Sequence, residues 1–185
     1  MKKAAFVTAL LFGVATVAAA QMSMSDDKAK RPSPPANAEC KFSDGKTIKI
    51  DYSSPRVKGR KIFGAASDQA LVPYGEVWRT GANEATTFVT GANVTVGGKD
   101  VPAGSYTIFT VPSADKWTLI INKKTGEWGI PYKYEADELA RVPMTVSKTA
   151  APVENFTIAF DHAGGKCTLR FEWENVTASV DISEK

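Results

Sequence analysis

The sequence predicts an all-β protein: a single antiparallel β-sandwich, jelly-roll-like, with one long packed loop and little helix. Most of the chain after residue 40 consists of short segments in which apolar and polar residues alternate. Such period-two alternation is typical of strands with one buried face. Turn-forming residues separate eight to ten of these segments, and strands do not alternate with helices, which favours an antiparallel sandwich or barrel.

The first twenty residues have the organisation of a secretory signal. Lys2 and Lys3 precede an apolar run over residues 4–17, and three alanines then form a small-residue cleavage pattern at residues 18–20. The run is shorter than the roughly twenty residues that span a bilayer. We therefore expect residues 1–20 to be removed, no transmembrane segment after cleavage, and a periplasmic or secreted protein.

The next segment, residues 21–37, is polar and proline-rich, which predicts a disordered lead before a domain over residues 38–185. The whole chain has 23 Lys and Arg against 20 Asp and Glu. Without Lys2 and Lys3 the balance is 21 to 20, a net charge of +1. Since the sequence also shows no basic stripe, a nucleic-acid partner is not expected.

The first predicted strands form a hairpin, residues 40–44 and 46–52, around a type I′ turn at Asp44-Gly45. Cys40 in this hairpin and Cys167 in a late strand both fall at apolar-facing positions. In an oxidising compartment they are expected to form a disulfide. Two separate buried thiols are the alternative, because free cysteine packs as a small apolar residue.

A long segment without alternation, residues 53–83, follows the hairpin. It contains both a dense group of basic residues and several apolar ones, which predicts a loop packed onto the sheet with polar tips that could bind a ligand. The basic residues are Arg56, Lys58, Arg60 and Lys61, and the apolar ones are Ile62, Phe63, Leu71, Val72, Tyr74 and Trp78.

The rest of the chain is predicted to be strands with one irregular region. The strands are residues 85–90, 94–96 and 99–101 (a hairpin around Gly97-Gly98), 105–111, 117–122, 155–160, 167–174 and 176–182. The irregular region, residues 123–141, carries Trp128, and residues 135–141 could form two helical turns.

Residues 77–86, with the sequence VWRTGANEAT, are the candidate site because they combine an indole, a guanidinium, a hydroxyl, an amide and a carboxylate. Arg79 could bind an anionic ligand through its planar fork, with Glu84 orienting it or acting as a base. Alternatively, Arg79 and Glu84 form a structural ion pair, and Thr80 and Asn83 bond the backbone of the loop.

Two further groups could complete a ligand site, and each has a structural alternative. Trp78 with Trp128, Tyr52 or Tyr74 could form an aromatic platform for a sugar or peptide, or these rings could be packing residues. Arg60 and its basic neighbours could line an anion-binding rim with Arg79, or remain a solvated loop.

Most familiar catalytic and metal sites are not indicated. The single histidine, His162, lies at a predicted hairpin tip, which makes a triad with Ser53 or Ser54 improbable; a Ser-Lys arrangement with Lys58 stays open. Glu76 and Glu84 could be paired carboxylates, but spacing in a loop does not fix their distance. No CxxC motif or calcium-loop motif is present, so neither a metal nor a cofactor is expected.

Four runs of sequence resemble a bacterial family known as domain of unknown function 2911. They are residues 51–64 (DYSSPRVKGRKIFG), 71–86 (LVPYGEVWRTGANEAT), 101–110 (VPAGSYTIFT) and 141–144 (RVPM). The resemblance extends over about residues 40–183. It implies an exported, mainly β protein and supplies no activity, substrate or catalytic residue.

The function we expect is that of a periplasmic or secreted binding module for a small polar ligand, either anionic or carbohydrate-like. The expected ligand-binding residues are Arg60, Trp78, Arg79, Thr80, Asn83 and Glu84. One alternative is an envelope hydrolase or isomerase with Glu84 as general base and Arg79 as electrostatic stabiliser. Another is a structural envelope protein without a ligand.

Overall fold

One continuous antiparallel sheet contains nine of the strands in a computed structural model that describes residues 28–163 and 165–185. The strands are β1 (Pro35–Lys41), β2 (Thr47–Ser53), β3 (Phe63–Gly64), β4 (Val72–Pro73), β5 (Thr86–Thr90), β6 (Val94–Val96), β7 (Lys99–Val101), β8 (Gly104–Val111), β9 (Lys116–Asn122), β10 (Glu138–Ala163) and β11 (Lys166–Glu184). The predicted signal peptide and residues 21–27 lie outside the described residues.

The nine-stranded sheet has the order β1-β2-β5-β8-β9-β10-β11-β6-β7, and the short parallel pair β3-β4 lies apart from it. Neighbours in the sheet are mostly neighbours in the chain. The exception is the hairpin β6–β7, which pairs with the end of β11 instead of lying between β5 and β8. The predicted all-β sandwich is confirmed.

The sheet becomes a sandwich because β10 and β11 are long and bend over the first strands. The early part of β10 pairs with β9, whereas residues 157–163 pair only with β11. In the bent part, the backbone N–H of Ile158 donates to the Tyr52 hydroxyl over 3.0 Å, and that of Phe156 donates to the Pro55 carbonyl over 2.8 Å. The far half of the β10–β11 hairpin therefore covers β2 and the residues that follow it.

The predicted disulfide between Cys40 and Cys167 is confirmed. It joins β1 to β11 with a Cα–Cα distance of 6.2 Å across a sequence separation of 127 residues. Both cysteines are buried in the core between the layers. The bond thus connects two strands that lie far apart in the order of the sheet.

The predicted hairpin β1–β2 is present, with Lys41 opposite Thr47, but its turn differs from the expected type I′. Among the turn residues, only Gly45 has a positive φ, of 92°, and its N–H donates to the Phe42 carbonyl over 3.0 Å. A type I′ turn requires two residues with positive φ. The turn is instead a type I turn followed by a left-handed glycine.

The ordered domain begins earlier than the sequence predicts. Strand β1 starts at Pro35, inside the expected disordered lead, and pairs with Ser53. Before it, the Pro34 carbonyl accepts from Ser54 N–H over 2.9 Å. Polarity and proline content suggested disorder, but proline is tolerated at the first residue of an edge strand because it lacks an N–H.

The predicted helix over residues 135–141 is wrong. A 3-10 helix covers only Glu135–Asp137, and β10 begins at Glu138. The strands predicted at residues 167–174 and 176–182 are one strand, β11. It continues through Glu174, which has a left-handed conformation with φ of 54°. Pairing with β9 and burial of Val142 and Met144 decide the strand structure, since a short helix has little stability of its own.

The loop over residues 53–83 is packed down, as predicted. Ile62, Phe63, Val72 and Trp78 are all buried in the core. Two of the expected apolar anchors differ: Leu71 is 46% exposed and Tyr74 is 37% exposed. No helix among the described residues is long and apolar enough to cross a membrane.

The disulfide is expected to stabilise the protein strongly, because it closes a loop of more than one hundred residues in the unfolded chain. Replacing both Cys40 and Cys167 with serine should lower the free energy of unfolding by about 2–4 kcal/mol, measured by urea denaturation. Reductant should destabilise the wild type to a similar extent and leave the double variant unchanged. Equal stability of the oxidised wild type and the double variant would contradict this prediction.

Candidate functional site

The segment 77–86 is held against the sheet by its own backbone. Trp78 forms a bridge with Thr110 of β8, with N–H to carbonyl distances of 2.8 and 2.9 Å in the two directions. Beyond it the chain turns sharply: Thr80 and Asn83 adopt left-handed conformations with φ of 53° and 57°. Two such residues within four positions fold the segment into a compact turn, so that its side chains point to different surroundings.

Thr80 lies inside the protein. It is completely buried, and its hydroxyl lies 3.1 Å from that of Thr110. Its carbonyl accepts from the Thr86 hydroxyl over 2.7 Å. A buried threonine with these partners holds the turn together and has no surface to offer a ligand, as in the structural alternative considered for this segment.

Trp78 belongs to a cluster of rings in the core. Its ring stacks on Trp173 with centroids 5.7 Å apart and an angle of 17° between planes. Phe63, Trp117 and Phe156 pack against it edge-on, and its Nε1 donates to the Gly81 carbonyl over 3.1 Å. These neighbours leave no open indole face for a sugar, although the residue contributes to the floor of a cleft.

Arg79 bonds to backbone carbonyls rather than to a carboxylate. Its Nη1 donates to the carbonyl of Asn83 and, over 3.2 Å, to that of Trp128. The guanidinium carbon lies 5.0 Å from the centre of the Trp128 ring, a cation–π distance. Burial lowers the pKa of Arg79 from its usual value, because it disfavours the charged form.

Part of this guanidinium remains available. No acceptor among residues 28–163 and 165–185 bonds to its Nε or Nη2. Among the described residues, only Arg170 has a side-chain nitrogen or oxygen that is buried without a hydrogen-bond partner. The unpaired Nε and Nη2 of Arg79 are therefore in contact with solvent. Arg79 therefore combines partial desolvation with unused donors.

The loop beyond β9 forms the other side of this environment. Gly129 has φ of 89°, and a Cβ there would lie 2.9 Å from the Cβ of Ala85 and 3.2 Å from that of Arg79. Only glycine permits such an approach, which brings the Trp128 carbonyl to Arg79. Tyr132 anchors the loop, because its hydroxyl donates to Glu138 over 2.6 Å.

A cleft of about 220 Å³ lies between the long loop and this second loop. Of the predicted ligand-binding residues, it brings together Arg60, Trp78 and Arg79. Its remaining lining residues are Ser33, Pro55, Leu71, Val72, Gly81, Ala82, Ile130 and Trp173. Arg60 is held at the rim, because its guanidinium donates to the carbonyls of Val57, over 3.1 Å, and Arg56.

Glu84 does not share this cleft. Its carboxylate binds Arg31 at 2.9 Å and Lys28 at 3.2 Å, and it lines a separate cavity of about 150 Å³ beside Tyr52. A hydrogen bond from its own backbone N–H, then those from Arg31 and Lys28, lower the pKa of Glu84 to about 2. The expected Arg79–Glu84 pair is therefore replaced, among the residues described, by an ion cluster with the N-terminal segment.

Asn83 also turns away from the cleft. Its side-chain Nδ2 donates to the Ser33 carbonyl over 3.0 Å, and its own carbonyl accepts from Arg79. Asn83 and Glu84 together hold residues 28–34 against the domain. These contacts join residues about fifty positions apart, and no local pattern in the sequence predicts them.

The contacts of the serine, lysine and histidine side chains give little support to the serine-based and metal-binding sites considered from the sequence. The Ser54 hydroxyl donates to the Phe156 carbonyl over 2.7 Å, and Lys61 pairs with Asp68 at 2.6 Å. His162 lies near the end of β10, opposite Cys167. In the described part of the chain, no three His, Cys, Asp or Glu side chains gather in a way that could hold a metal ion.

Sequence reasoning missed several residues of the cleft. Ile130 and Trp173 were assigned no binding role, and Leu71 was expected to be an anchor inside the loop. A signal was available in Trp128-Gly129-Ile130-Pro131, where large apolar residues flank a glycine in a region without alternation. A group of exposed apolar residues in an irregular region indicates a surface that contacts a ligand or a partner molecule.

The chain belongs to the family described as protein of unknown function (DUF2911), whose model matches residues 33–182. The match contains the whole long loop and all residues that line the cleft. Neither a curated protein nor a solved structure gives a significant match.

The ion cluster around Glu84 predicts a pH-dependent contribution to stability. The pKa is about 2 in the folded protein, below the ordinary value of 4.5, so the contribution is complete above about pH 5 and disappears as the pH falls towards 2. Because the Glu84 side chain is 42% exposed, solvent screening reduces the effect to about 1 kcal/mol or less.

Glu84→Gln should therefore lower the free energy of unfolding by about 1 kcal/mol at pH 7 and low salt, with the difference from wild type shrinking below about pH 4 and vanishing near pH 2. Urea denaturation at pH 7 and pH 2 measures this. Glu39→Gln, which removes an exposed carboxylate 3.8 Å from Lys49, serves as the control and should have a smaller effect. A Glu84→Gln deficit that persists in full at pH 2 would mean that the loss is not electrostatic.

Proposed function

We propose that this member of the DUF2911 family is an exported binding module for a small polar ligand carrying an anionic group. The ligand would occupy the cleft between the long loop and the loop containing Ile130. The observation that carries the proposal is the state of Arg79, which is partly desolvated, forms no ion pair with a carboxylate of the described residues and keeps two nitrogens open to solvent.

A guanidinium in this state favours an anion. Removing a charge from water is unfavourable unless an opposite charge or strong hydrogen bonds compensate. The two carbonyls that accept from Nη1 compensate partly, and the Trp128 ring adds a cation–π contact. A carboxylate or phosphate on Nε and Nη2 would complete the compensation with the bidentate geometry that arginine favours.

The other residues that line the cleft also favour a negatively charged ligand. Arg60 supplies a second guanidinium, and no carboxylate side chain is present among the residues that line the cleft. The Glu84 carboxylate lies in the separate cavity and pairs with Arg31 and Lys28, so its charge acts on Arg79 without a direct ion pair. Two cations in a cleft whose described lining contains no carboxylate are suited to an anionic ligand.

The alternatives explain less of the geometry. A carboxylate with a pKa of about 2 is a weak base at neutral pH, which argues against Glu84 as a general base. A purely structural role accounts for the contacts of Thr80, Asn83 and the ring of Trp78. It does not account for the two nitrogens of Arg79 that have no hydrogen-bond acceptor among the described residues.

Export is proposed from the N-terminal sequence, and the disulfide supports it. Disulfides persist in oxidising compartments such as the periplasm and the extracellular space. The Cys40–Cys167 bond is consistent with such a location.

The binding proposal is tested by a thermal-shift screen of small carboxylates, phosphates and sugars on three proteins: wild type, Arg79→Gln and Arg56→Gln. An anionic ligand should raise the wild-type midpoint, because binding to the native state stabilises it. Arg79→Gln should weaken binding by about 10- to 100-fold, the effect of losing charge-assisted hydrogen bonds worth about 1.5–3 kcal/mol.

Arg56→Gln removes an equal charge from the same loop outside the cleft and should bind like the wild type. Shifts of equal size in all three proteins would reject the cleft as the site. A panel without any shift in the wild type would reject the binding module itself.

A further inference from the structure

The polar side chains of the cleft are almost entirely hydrogen-bond donors. Arg60 and Arg79 donate only, and among the described lining residues Ser33 alone has a side chain that can also accept. A sugar presents many hydroxyl groups, each of which needs an acceptor as well as a donor. The described lining side chains therefore offer none of the carboxylate and side-chain amide oxygens that commonly bind hydroxyl-rich ligands.

The aromatic floor also does not suit a sugar. The rings of Trp78 and Trp173 stack on each other, and Phe156 packs against both of them edge-on. The indole N–H groups are used as well: that of Trp78 bonds to Gly81 and that of Trp173 to the Glu154 carbonyl over 3.2 Å. These rings form a non-polar floor rather than an open platform.

The walls of the cleft expose aliphatic surface. Leu71 on the long loop is 46% exposed and Ile130 on the opposite loop is 47% exposed. A third exposed apolar residue, Trp128 at 55%, precedes Ile130 by two positions and lies against the guanidinium of Arg79. Exposed apolar residues that gather around a concavity mark a surface that contacts a ligand or partner.

We propose that the ligand of this cleft is an amphipathic carboxylate, with its anionic group on Arg79 and Arg60 and an apolar group against Leu71 and Ile130. This inference rests on the proposed anion-binding function and narrows it. The cleft has a volume of only about 220 Å³, so the enclosed part of the ligand is small. A single apolar amino-acid residue with a free carboxylate has this size and chemistry.

Such a group is present in a free N-acylated amino acid and at the C-terminus of a peptide. Both offer a planar carboxylate for an arginine fork and one apolar side chain for the Leu71 and Ile130 walls. Their chemistry inside the cleft is identical, so the two sources differ only in the part of the ligand that extends beyond the mouth of the cleft.

Calorimetric titration of the signal-free protein with three matched compounds tests the inference. The compounds are N-acetyl-leucine, N-acetyl-leucinamide, which lacks the charge, and N-acetylglycine, which lacks the apolar side chain. N-acetyl-leucine should bind at least about tenfold more tightly than either, because each analogue loses one of the two interactions. A tripeptide ending in leucine, with and without C-terminal amidation, tests the peptide source.

Substitutions then assign the apolar contact. Leu71→Ser and Ile130→Ser should each reduce the affinity for N-acetyl-leucine towards that for N-acetylglycine and leave N-acetylglycine binding unchanged. Tyr74→Ser is the matched control, since Tyr74 is an exposed apolar residue of the same loop outside the cleft lining. Because all three residues are exposed, circular dichroism and the unfolding midpoint should stay close to those of the wild type.

The outcomes separate this inference from the proposed function. Equal affinity for N-acetylglycine and N-acetyl-leucine, both lost in Arg79→Gln, would leave an anion site and overturn the amphipathic ligand. Binding of maltose but of no carboxylate would overturn the inference in favour of a carbohydrate site. If neither these compounds nor the wider ligand panel bind at millimolar concentration, the proposed function is overturned too.

Discussion

The burial of Trp78 is the contact on which the arrangement of the site depends. Its ring packs against Trp173 from the bent part of β11 and against Trp117 from β9, so one side chain of the long loop reaches both layers. Its backbone pairs with Thr110 of β8. Each of these contacts fixes the residue that follows, Arg79, at the border between core and solvent. The environment of that cation is thus a consequence of core packing.

Glycine backbone and carbonyl groups complete this environment from the other side. The absence of a side chain at Gly129 lets the second loop approach Arg79 closely enough to offer a carbonyl oxygen. Carbonyls stabilise a cation without neutralising it, whereas a carboxylate would cancel its charge. The fold thereby keeps a net positive centre beside non-polar surface, and this combination separates the cleft from the ion-paired surface around Glu84.

The sequence predicted features that depend on local alternation and left open those that depend on distant partners. Alternation and export predicted β2, β5, the end of β1 and the Cys40–Cys167 pair. The burial of Trp78 was predicted from the apolar residues of a segment without alternation. Alternation could not reveal that Glu84 pairs with Arg31 instead of Arg79. That pairing depends on where the segment before β1 lies on the domain. The helix expected near Glu138 failed similarly, since pairing with β9 outweighs a short helical preference.

The spacing of the two cysteines has a consequence for how the protein is made. With only two cysteines in the chain, every intramolecular disulfide is the native one, so incorrect pairing can arise only between separate molecules. During synthesis Cys40 emerges long before Cys167 and spends that interval as an unpaired thiol. Formation of this bond within one chain therefore needs a thiol oxidant and no disulfide isomerase.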